Sequence, residues 1–75
     1  MIILHRGVKM PVTYKKLWFM LIEKNISKAQ LRQIAGLSQS TLTKLNKNEY
    51  VSLEIITRIC DALDCDIGDI IEIDK

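Results

Sequence analysis

The sequence contains few of the residues that build metal sites and tight loops. Its 75 residues include two cysteines, one histidine, three glycines and one proline. A structural zinc site usually needs four cysteine and histidine ligands, and this chain has too few of them. Cys60 and Cys65 do not form a CxxC pair, and they can form a disulfide only if the local geometry brings them together. Cys60 lies in a helical pattern, which favours a small buried hydrophobic residue.

Long apolar runs are also missing. The run Leu17–Ile22 has six residues, whereas a membrane-spanning helix needs about 20. The apolar start Met1–Leu4 is interrupted by His5, Arg6 and Gly7, which makes it too short for the core of a secretory signal. The sequence therefore predicts a reduced, cytoplasmic protein without a membrane segment.

No group of residues indicates catalysis or a bound cofactor. The chain lacks a paired nucleophile and base, and it lacks a glycine-rich loop that could hold a phosphate. The aspartates at 61, 64, 66 and 69 lack the glycine and glutamate positions of a calcium-binding EF-hand loop. We therefore expect neither an enzyme nor a metal or cofactor site.

Acidic residues are almost absent from the first 48 positions. That part contains nine lysines and arginines against one acid, Glu23, whereas residues 49–75 contain eight acids against two basic residues. The net charge of +2 hides this asymmetry. A basic half is typical of a surface that binds phosphates, and the alternative is an ordinary solvated surface.

Amphipathic patterns predict four helices, each beginning at a residue that can cap it. Thr13, Ser27, Ser38 and Ser52 are the predicted caps, and Ser27 with Gln30 fits a capping box. Apolar residues at helical spacing predict the buried faces. They are Tyr14, Leu17, Trp18 and Leu21 in the first helix, Leu31 and Ile34 in the second, Leu42 and Leu45 in the third, and Leu53, Ile56, Ile59, Cys60 and Leu63 in the fourth.

The helix ends and the chain ends complete the predicted fold. Asn25, Gly36 and Asn46 are expected to end the first three helices in a left-handed conformation. Asp66 opens a last turn, and the following IIEI segment, residues 70–73, also fits a short strand. We expect an all-α domain of four or five helices over residues 13–75, with residues 1–12 as an N-terminal arm or strand. A short β pairing of the termini, Met1–Leu4 beside the IIEI segment, and an alternative start at Met10 both stay open.

Residues 28–46, KAQLRQIAGLSQSTLTKLN, have the spacing of a helix-turn-helix motif. In this motif two short helices meet at a sharp turn, here at Gly36, and the second helix docks through apolar residues. Leu31, Leu37, Leu42 and Leu45 occupy the positions that such docking requires. The polar outer side of the second helix can then enter the major groove of DNA.

The segments AGLSQSTLTKL, residues 35–45, and VSLEIITRICDALDCDIGDIIEI, residues 51–73, resemble the lambda-repressor-like, or Xre-type, family of transcriptional regulators. The resemblance covers roughly residues 13–73 and implies binding to an operator in double-stranded DNA, with repression as its expected outcome. By position, Gln39 can pair with adenine and Lys44 can reach guanine or a phosphate. The implied base-contacting residues are Ser38, Gln39, Ser40, Thr43 and Lys44, and the implied phosphate-contacting residues are Lys28, Thr41, Asn46, Lys47 and Asn48.

Two positions depart from the family pattern. Arg32 stands where the family usually has an alanine, so its side chain must follow the surface or pair with an acid such as Glu54. Asn46 replaces a glycine often found after the recognition helix. The first departure puts the closeness of the helix crossing in question.

A homodimer is expected because one small domain contacts too little DNA for high specificity. Its predicted interface is the isoleucine tail together with the N-terminal strand, and the alternative is the outer side of the first helix at Phe19 and Ile22. The isoleucine tail consists of Ile67, Ile70, Ile71 and Ile73. The rival function is that of an antitoxin or accessory module that binds a protein partner through its apolar isoleucine tail.

Overall fold

The computed structural model of the chain describes residues 11–74. These residues form four α-helices and one small antiparallel sheet, which confirms the predicted all-α class with a short β pairing. A single 3₁₀ turn lies between the last helix and the last strand. The elements in chain order are β1 (Val12–Thr13), α1 (Lys15–Lys24), α2 (Lys28–Ala35), α3 (Gln39–Asn46), α4 (Leu53–Leu63), the 3₁₀ turn (Ile67–Asp69) and β2 (Glu72–Ile73).

Three of the four helices begin at the predicted serine. The hydroxyl oxygens of Ser27, Ser38 and Ser52 accept hydrogen bonds from the backbone N–H three residues later, at 3.0, 3.1 and 3.2 Å. Each bond satisfies a backbone donor that the helix leaves unpaired at its start. The end of α1 at left-handed Asn25, with φ of 57°, is also as predicted.

Two predicted helix boundaries are wrong. Thr13 belongs to β1, and Tyr14 occupies the cap position of α1, although the Thr13 hydroxyl still accepts a bond from the N–H of Lys15. Asn46 is the last residue of α3 rather than a left-handed stop. The chain turns two residues later at Asn48, which has φ of 57°.

The core is built from apolar residues of every helix, together with Tyr14, Leu37 and Ile70, which lie outside the helices. Its centre consists of side chains without any exposed surface, for example Leu17, Leu31 and Ile59. Two residues predicted to face the core, Ile34 and Leu53, are exposed, and Ala35 takes the inward position in α2. The buried residues are Tyr14, Leu17, Leu21, Leu31, Ala35, Leu37, Leu42, Leu45, Ile56, Ile59, Leu63 and Ile70.

The two short strands join the ends of the described chain. Val12 pairs with Ile73 and Thr13 with Glu72, and the N–H of Asp74 donates to the carbonyl of Pro11 at 2.7 Å. β2 therefore uses Val12–Thr13 as its partner. The predicted strand Met1–Leu4 and the alternative start at Met10 lie outside the described residues. No helix in residues 11–74 is both long and apolar enough to cross a membrane.

Candidate nucleic-acid interface

The turn between α2 and α3 depends on the backbone conformation of Gly36. This residue has φ of 67° and ψ of 42°, which is the left-handed region that residues with a Cβ adopt at a cost. The N–H of Leu37 then donates to the carbonyl of Arg32 at 2.8 Å and closes the helix end. A Cβ added at Gly36 would meet no atom within 4 Å. The glycine is therefore required by its φ value and not by crowding between the helices.

The recognition helix α3 buries Leu42 and Leu45 and exposes Gln39, Ser40 and Lys44. The inward and outward sides are thus as the sequence predicts. Gln39 follows the helix cap directly, so it lies at the end of α3 that enters a groove first in a helix-turn-helix. Among the predicted base-contacting residues, Gln39 and Lys44 also have the longest polar side chains.

The hydroxyl groups of this helix have partners within the domain. Ser38 accepts from the N–H of Thr41 and donates to the Thr41 hydroxyl at 3.0 Å, and its oxygen lies 3.1 Å from the Ser40 hydroxyl. Thr43 donates to the carbonyl of Gln39 at 3.0 Å. The hydroxyl of Thr43 can therefore accept a bond from a base more easily than it can donate one.

Two of the predicted phosphate-contacting residues are in direct contact with each other. The Lys28 ammonium donates to Oδ1 of Asn46 at 2.6 Å, which joins the start of α2 to the end of α3. The same ammonium lies 4.1 Å from the centre of the Trp18 ring in α1. The cation–π contact was not predicted, because sequence spacing does not indicate which lysine lies over which ring.

Asn48 joins the segment that follows α3 to the start of α1. Its side-chain Oδ1 accepts from the N–H of Tyr14 at 3.1 Å, and the Tyr14 hydroxyl donates to the carbonyl of Glu49 at 2.7 Å. Burial of Tyr14 raises the pKa of its hydroxyl. Two bonds therefore hold this segment to the start of α1. The neighbouring residue Lys47 is exposed to solvent.

Arg58 stabilises the turn of the motif, and the sequence alone did not predict this role. It lies in α4, and its Nη1 donates to the carbonyl of Gly36 at 3.1 Å while its Nη2 pairs with Glu54 at 2.8 Å. The i, i+4 spacing of Glu54 and Arg58 is visible in the sequence, but the contact with the turn is not. Of the two alternatives stated for Arg32, the pair with Glu54 does not form, since Glu54 pairs with Arg58 and Arg32 lies partly buried on α2.

The predicted isoleucine interface divides between the core and the surface. Ile70 is completely buried in the core at 0% exposure, so it cannot also line a dimer surface. Ile67 and Ile73 are exposed, and Ile71 is partly buried. On the first helix, Phe19 and Ile22 are exposed, as the alternative interface requires.

The acidic side chains and the two thiols do not gather into a metal-binding centre within residues 11–74. No three of the cysteine, aspartate and glutamate side chains in this part of the chain are close enough to hold a metal ion. Cys60 and Cys65 are both free thiols. Burial raises the pKa of Cys60, and burial together with the neighbouring Cys60 raises the pKa of Cys65 to about 11. Both thiols are therefore protonated and weakly nucleophilic at neutral pH.

Comparison with known proteins agrees with this geometry. Residues 16–75 match the family model of the Cro/C1-type helix-turn-helix DNA-binding domain. The chain is similar to the transcriptional regulator VanUg, whose crystal structure superimposes with a TM-score of 0.82 at 47% sequence identity over 96% of this chain and 95% of that chain. No curated protein sequence matches it significantly. The chain therefore belongs to the Cro/C1-type helix-turn-helix family of DNA-binding domains.

Proposed function

We propose that this protein is a sequence-specific transcriptional regulator that represses by occupying an operator in double-stranded DNA. The observation that carries the proposal is the division of α3 into a buried leucine side and an exposed side with Gln39, Ser40 and Lys44. The family membership and the similarity to a protein described as a transcriptional regulator give it further support.

In this proposal, α3 enters the major groove and its outer residues read the bases. Gln39 pairs through its amide with N6 and N7 of adenine, and Lys44 donates to guanine O6 or N7. Ser38, Ser40 and Thr43 add shorter contacts, with Thr43 best suited to accept a bond or to touch a thymine methyl group.

Phosphate contacts would fix the register of α3 in the groove without reading sequence. Lys28 and Asn46 supply them from one side, where the start of α2 and the end of α3 meet. Thr41, Lys47 and Asn48 supply them from α3 and the segment after it. Each lysine that neutralises a phosphate makes the affinity fall with salt concentration.

We propose further that the regulator acts as a homodimer. Two domains related by a two-fold axis would read two half-sites about one helical turn apart. Ile67, Ile71 and Ile73 are the available part of the isoleucine tail, and the surrounding acids would keep this surface away from DNA by repulsion. A monomer by light scattering at high micromolar concentration would contradict a stable dimer.

The decisive test is a gel shift of genomic fragments at low salt with the wild-type protein and with Gln39→Ala and Lys44→Ala. We expect selected fragments to bind the wild type. Each variant should bind the same fragments about 1–3 kcal/mol more weakly, because it loses one base contact. Lys16→Ala is the matched control, since the Lys16 ammonium donates to the carbonyl of Gly68 in the 3₁₀ turn. Failure of every fragment to bind, or unchanged binding by the double variant Gln39→Ala/Lys44→Ala, would contradict the proposal.

A second candidate function is that of an antitoxin or accessory module that binds a protein. Ile22, which is 71% exposed, and its neighbour Phe19 one turn earlier favour it, because large apolar side chains in contact with water often mark an interface. Under this alternative the protein is recovered in a stable complex with a partner protein, and substitutions in α3 do not weaken that complex.

A further inference from the structure

The Lys28 ammonium is held by two different groups that belong to other helices. Oδ1 of Asn46, at the end of α3, accepts one of its hydrogen bonds at 2.6 Å. The ring of Trp18, in the middle of α1, faces the charge at 4.1 Å. Trp18 is partly buried against the core, so its ring has a fixed position, whereas Lys28 and Asn46 are exposed.

This arrangement leaves N–H donors of the Lys28 ammonium free to bind a further group. A lysine ammonium has three N–H donors, and the bond with Asn46 uses one of them. Because lysine can only donate, the oxygen of the Asn46 amide must face it, and the NH₂ group of Asn46 is directed elsewhere. The π face of Trp18 attracts the positive charge without using a strong hydrogen-bond acceptor. The lysine thus keeps donors for an anion from solvent.

We infer that Trp18 and Asn46 are positioning residues that hold the Lys28 ammonium ready to bind a DNA phosphate. The inference deepens the proposed function, on which it rests, by assigning a role in DNA binding to Trp18, which is partly buried against the core. A free lysine side chain loses much rotational freedom when it binds, and a lysine already fixed by a ring and an amide loses less. The interaction with phosphate is then stronger for the same charge.

Positioning and charge have different effects on DNA binding. Loss of the Lys28 charge removes a counterion-releasing contact, so Lys28→Ala should lower the slope of log K against log salt by about 0.9. Trp18→Leu keeps the charge and removes only the ring. It should weaken binding about two- to tenfold while the salt slope stays that of the wild type.

The contact itself can be measured without DNA. Trp18 is the only tryptophan in the sequence, so its ring current should shift the side-chain methylene protons of Lys28 next to the ammonium upfield in an NMR spectrum. The shift should persist in Trp18→Phe and disappear in Trp18→Leu. Unshifted methylene protons in the wild-type protein would overturn the inference at this step.

The binding test uses a short DNA duplex of random sequence at low salt, because phosphate contacts do not depend on the operator. Trp18→Leu and Asn46→Ala are each compared with the wild type, with Lys28→Ala and with the corresponding double variants. The Trp18→Leu effect should vanish when Lys28 is already alanine, since it acts through the ammonium. The Asn46→Ala effect should shrink in the same background to what the phosphate contact of Asn46 itself contributes. Effects that persist unchanged in the Lys28→Ala background, or tighter binding by Asn46→Ala, would overturn the inference.

Two controls separate positioning from damage to the fold. Trp18→Phe keeps a ring and should bind between the wild type and Trp18→Leu, and Met20→Leu alters the packing of the same helix and should leave binding unchanged. Thermal melts show which variants are folded at the assay temperature. If the wild type binds the random duplex with the expected coupling but prefers no genomic fragment, the proposed regulator function fails while this inference stands. If the wild type binds no duplex at all, both fail.

Discussion

The guanidinium of Arg58 in α4 donates a hydrogen bond to the main-chain carbonyl of Gly36, the residue that ends α2, over 3.1 Å. Carbonyls at a helix end lack partners within the helix, so this bond satisfies one that lies in the turn of the motif. Glu54, one turn earlier on α4, pairs with the same guanidinium at 2.8 Å and restricts its orientation. The helix behind the motif thus supports the turn from which the recognition helix begins.

Replacement of Arg58 by alanine should therefore lower the free energy of unfolding by about 1 kcal/mol and weaken DNA binding. The hydrogen bond to the carbonyl supplies most of this effect, because exposed ion pairs such as Arg58–Glu54 contribute little. Urea denaturation and DNA titration measure the two changes. Glu54→Gln is the control and should cost less than about 0.5 kcal/mol. Equal losses in the two variants would mean that the ion pair, and not the bond to the turn, is what stabilises the domain.

The two described glycines should respond differently to alanine. Gly36 has φ of 67° and Gly68 does not have a positive φ, while neither has an atom within 4 Å of an added Cβ. Gly36→Ala should therefore lower the free energy of unfolding by about 1–2 kcal/mol through backbone strain alone. Gly68→Ala should leave it unchanged or raise it by about 0.5 kcal/mol, because alanine restricts the unfolded chain. Chemical denaturation of both variants checks the difference, and a neutral Gly36→Ala would show that the turn adapts.

Features that depend on a few neighbouring residues were predictable from the sequence. The caps at Ser27 and Ser38 and the turn at Gly36 follow from the hydrogen bonds and backbone angles of adjacent residues, so one sequence suffices to find them. The polar outer side of α3 is predictable for a similar reason, since helical periodicity alone separates it from Leu42 and Leu45.

Features that depend on packing between helices were not predictable. Relative to Leu31, Ile34 and Ala35 lie about 60° and 40° away around the helix, on opposite sides, so periodicity alone cannot choose between them. Packing of α2 against the neighbouring helices α3 and α4 decides in favour of Ala35 and leaves Ile34 54% exposed. The same holds for the Arg58–Gly36 and Lys28–Trp18 contacts, which join helices whose relative placement no local pattern specifies.

Ile70 and Ile73, three positions apart in the C-terminal segment, should contribute to different properties, one to folding and the other to self-association. Ile70 is fully buried and Ile73 is 57% exposed. Ile70→Ala should lower the free energy of unfolding by about 2–5 kcal/mol because it leaves a cavity in the core. Ile73→Ala should change it by less than about 1 kcal/mol and instead weaken self-association if the proposed dimer uses this surface. Chemical denaturation of the two variants measures the change in stability, and sedimentation measures the change in self-association. A larger loss of stability in Ile73→Ala than in Ile70→Ala would place Ile73 in the core.

The domain should lose stability in alkaline solution because three of its weak acids have raised pKa values. Burial raises the pKa of Cys65 from 9.0 to about 11, and it also raises the pKa values of Cys60 and Tyr14. Below about pH 9 the folded and unfolded states carry the same protons on these groups, so their effect on stability is constant. Above that pH the unfolded chain releases protons that the folded chain retains. The free energy of unfolding must then fall with rising pH until the folded groups ionise as well.

Urea denaturation between pH 7 and pH 10.5 measures this decline, and Cys65→Ala is the matched variant. This variant lacks the thiol whose pKa is raised to about 11, so its stability should fall less steeply than that of the wild type above pH 9. Alkylation of the native protein gives an independent check, because a thiol with a pKa near 11 has about 100 times less thiolate at pH 8 than one with a pKa near 9. Rapid modification of Cys65 at pH 8, or equal alkaline slopes for the two proteins, would mean that the thiol ionises in the folded state as easily as in the unfolded chain.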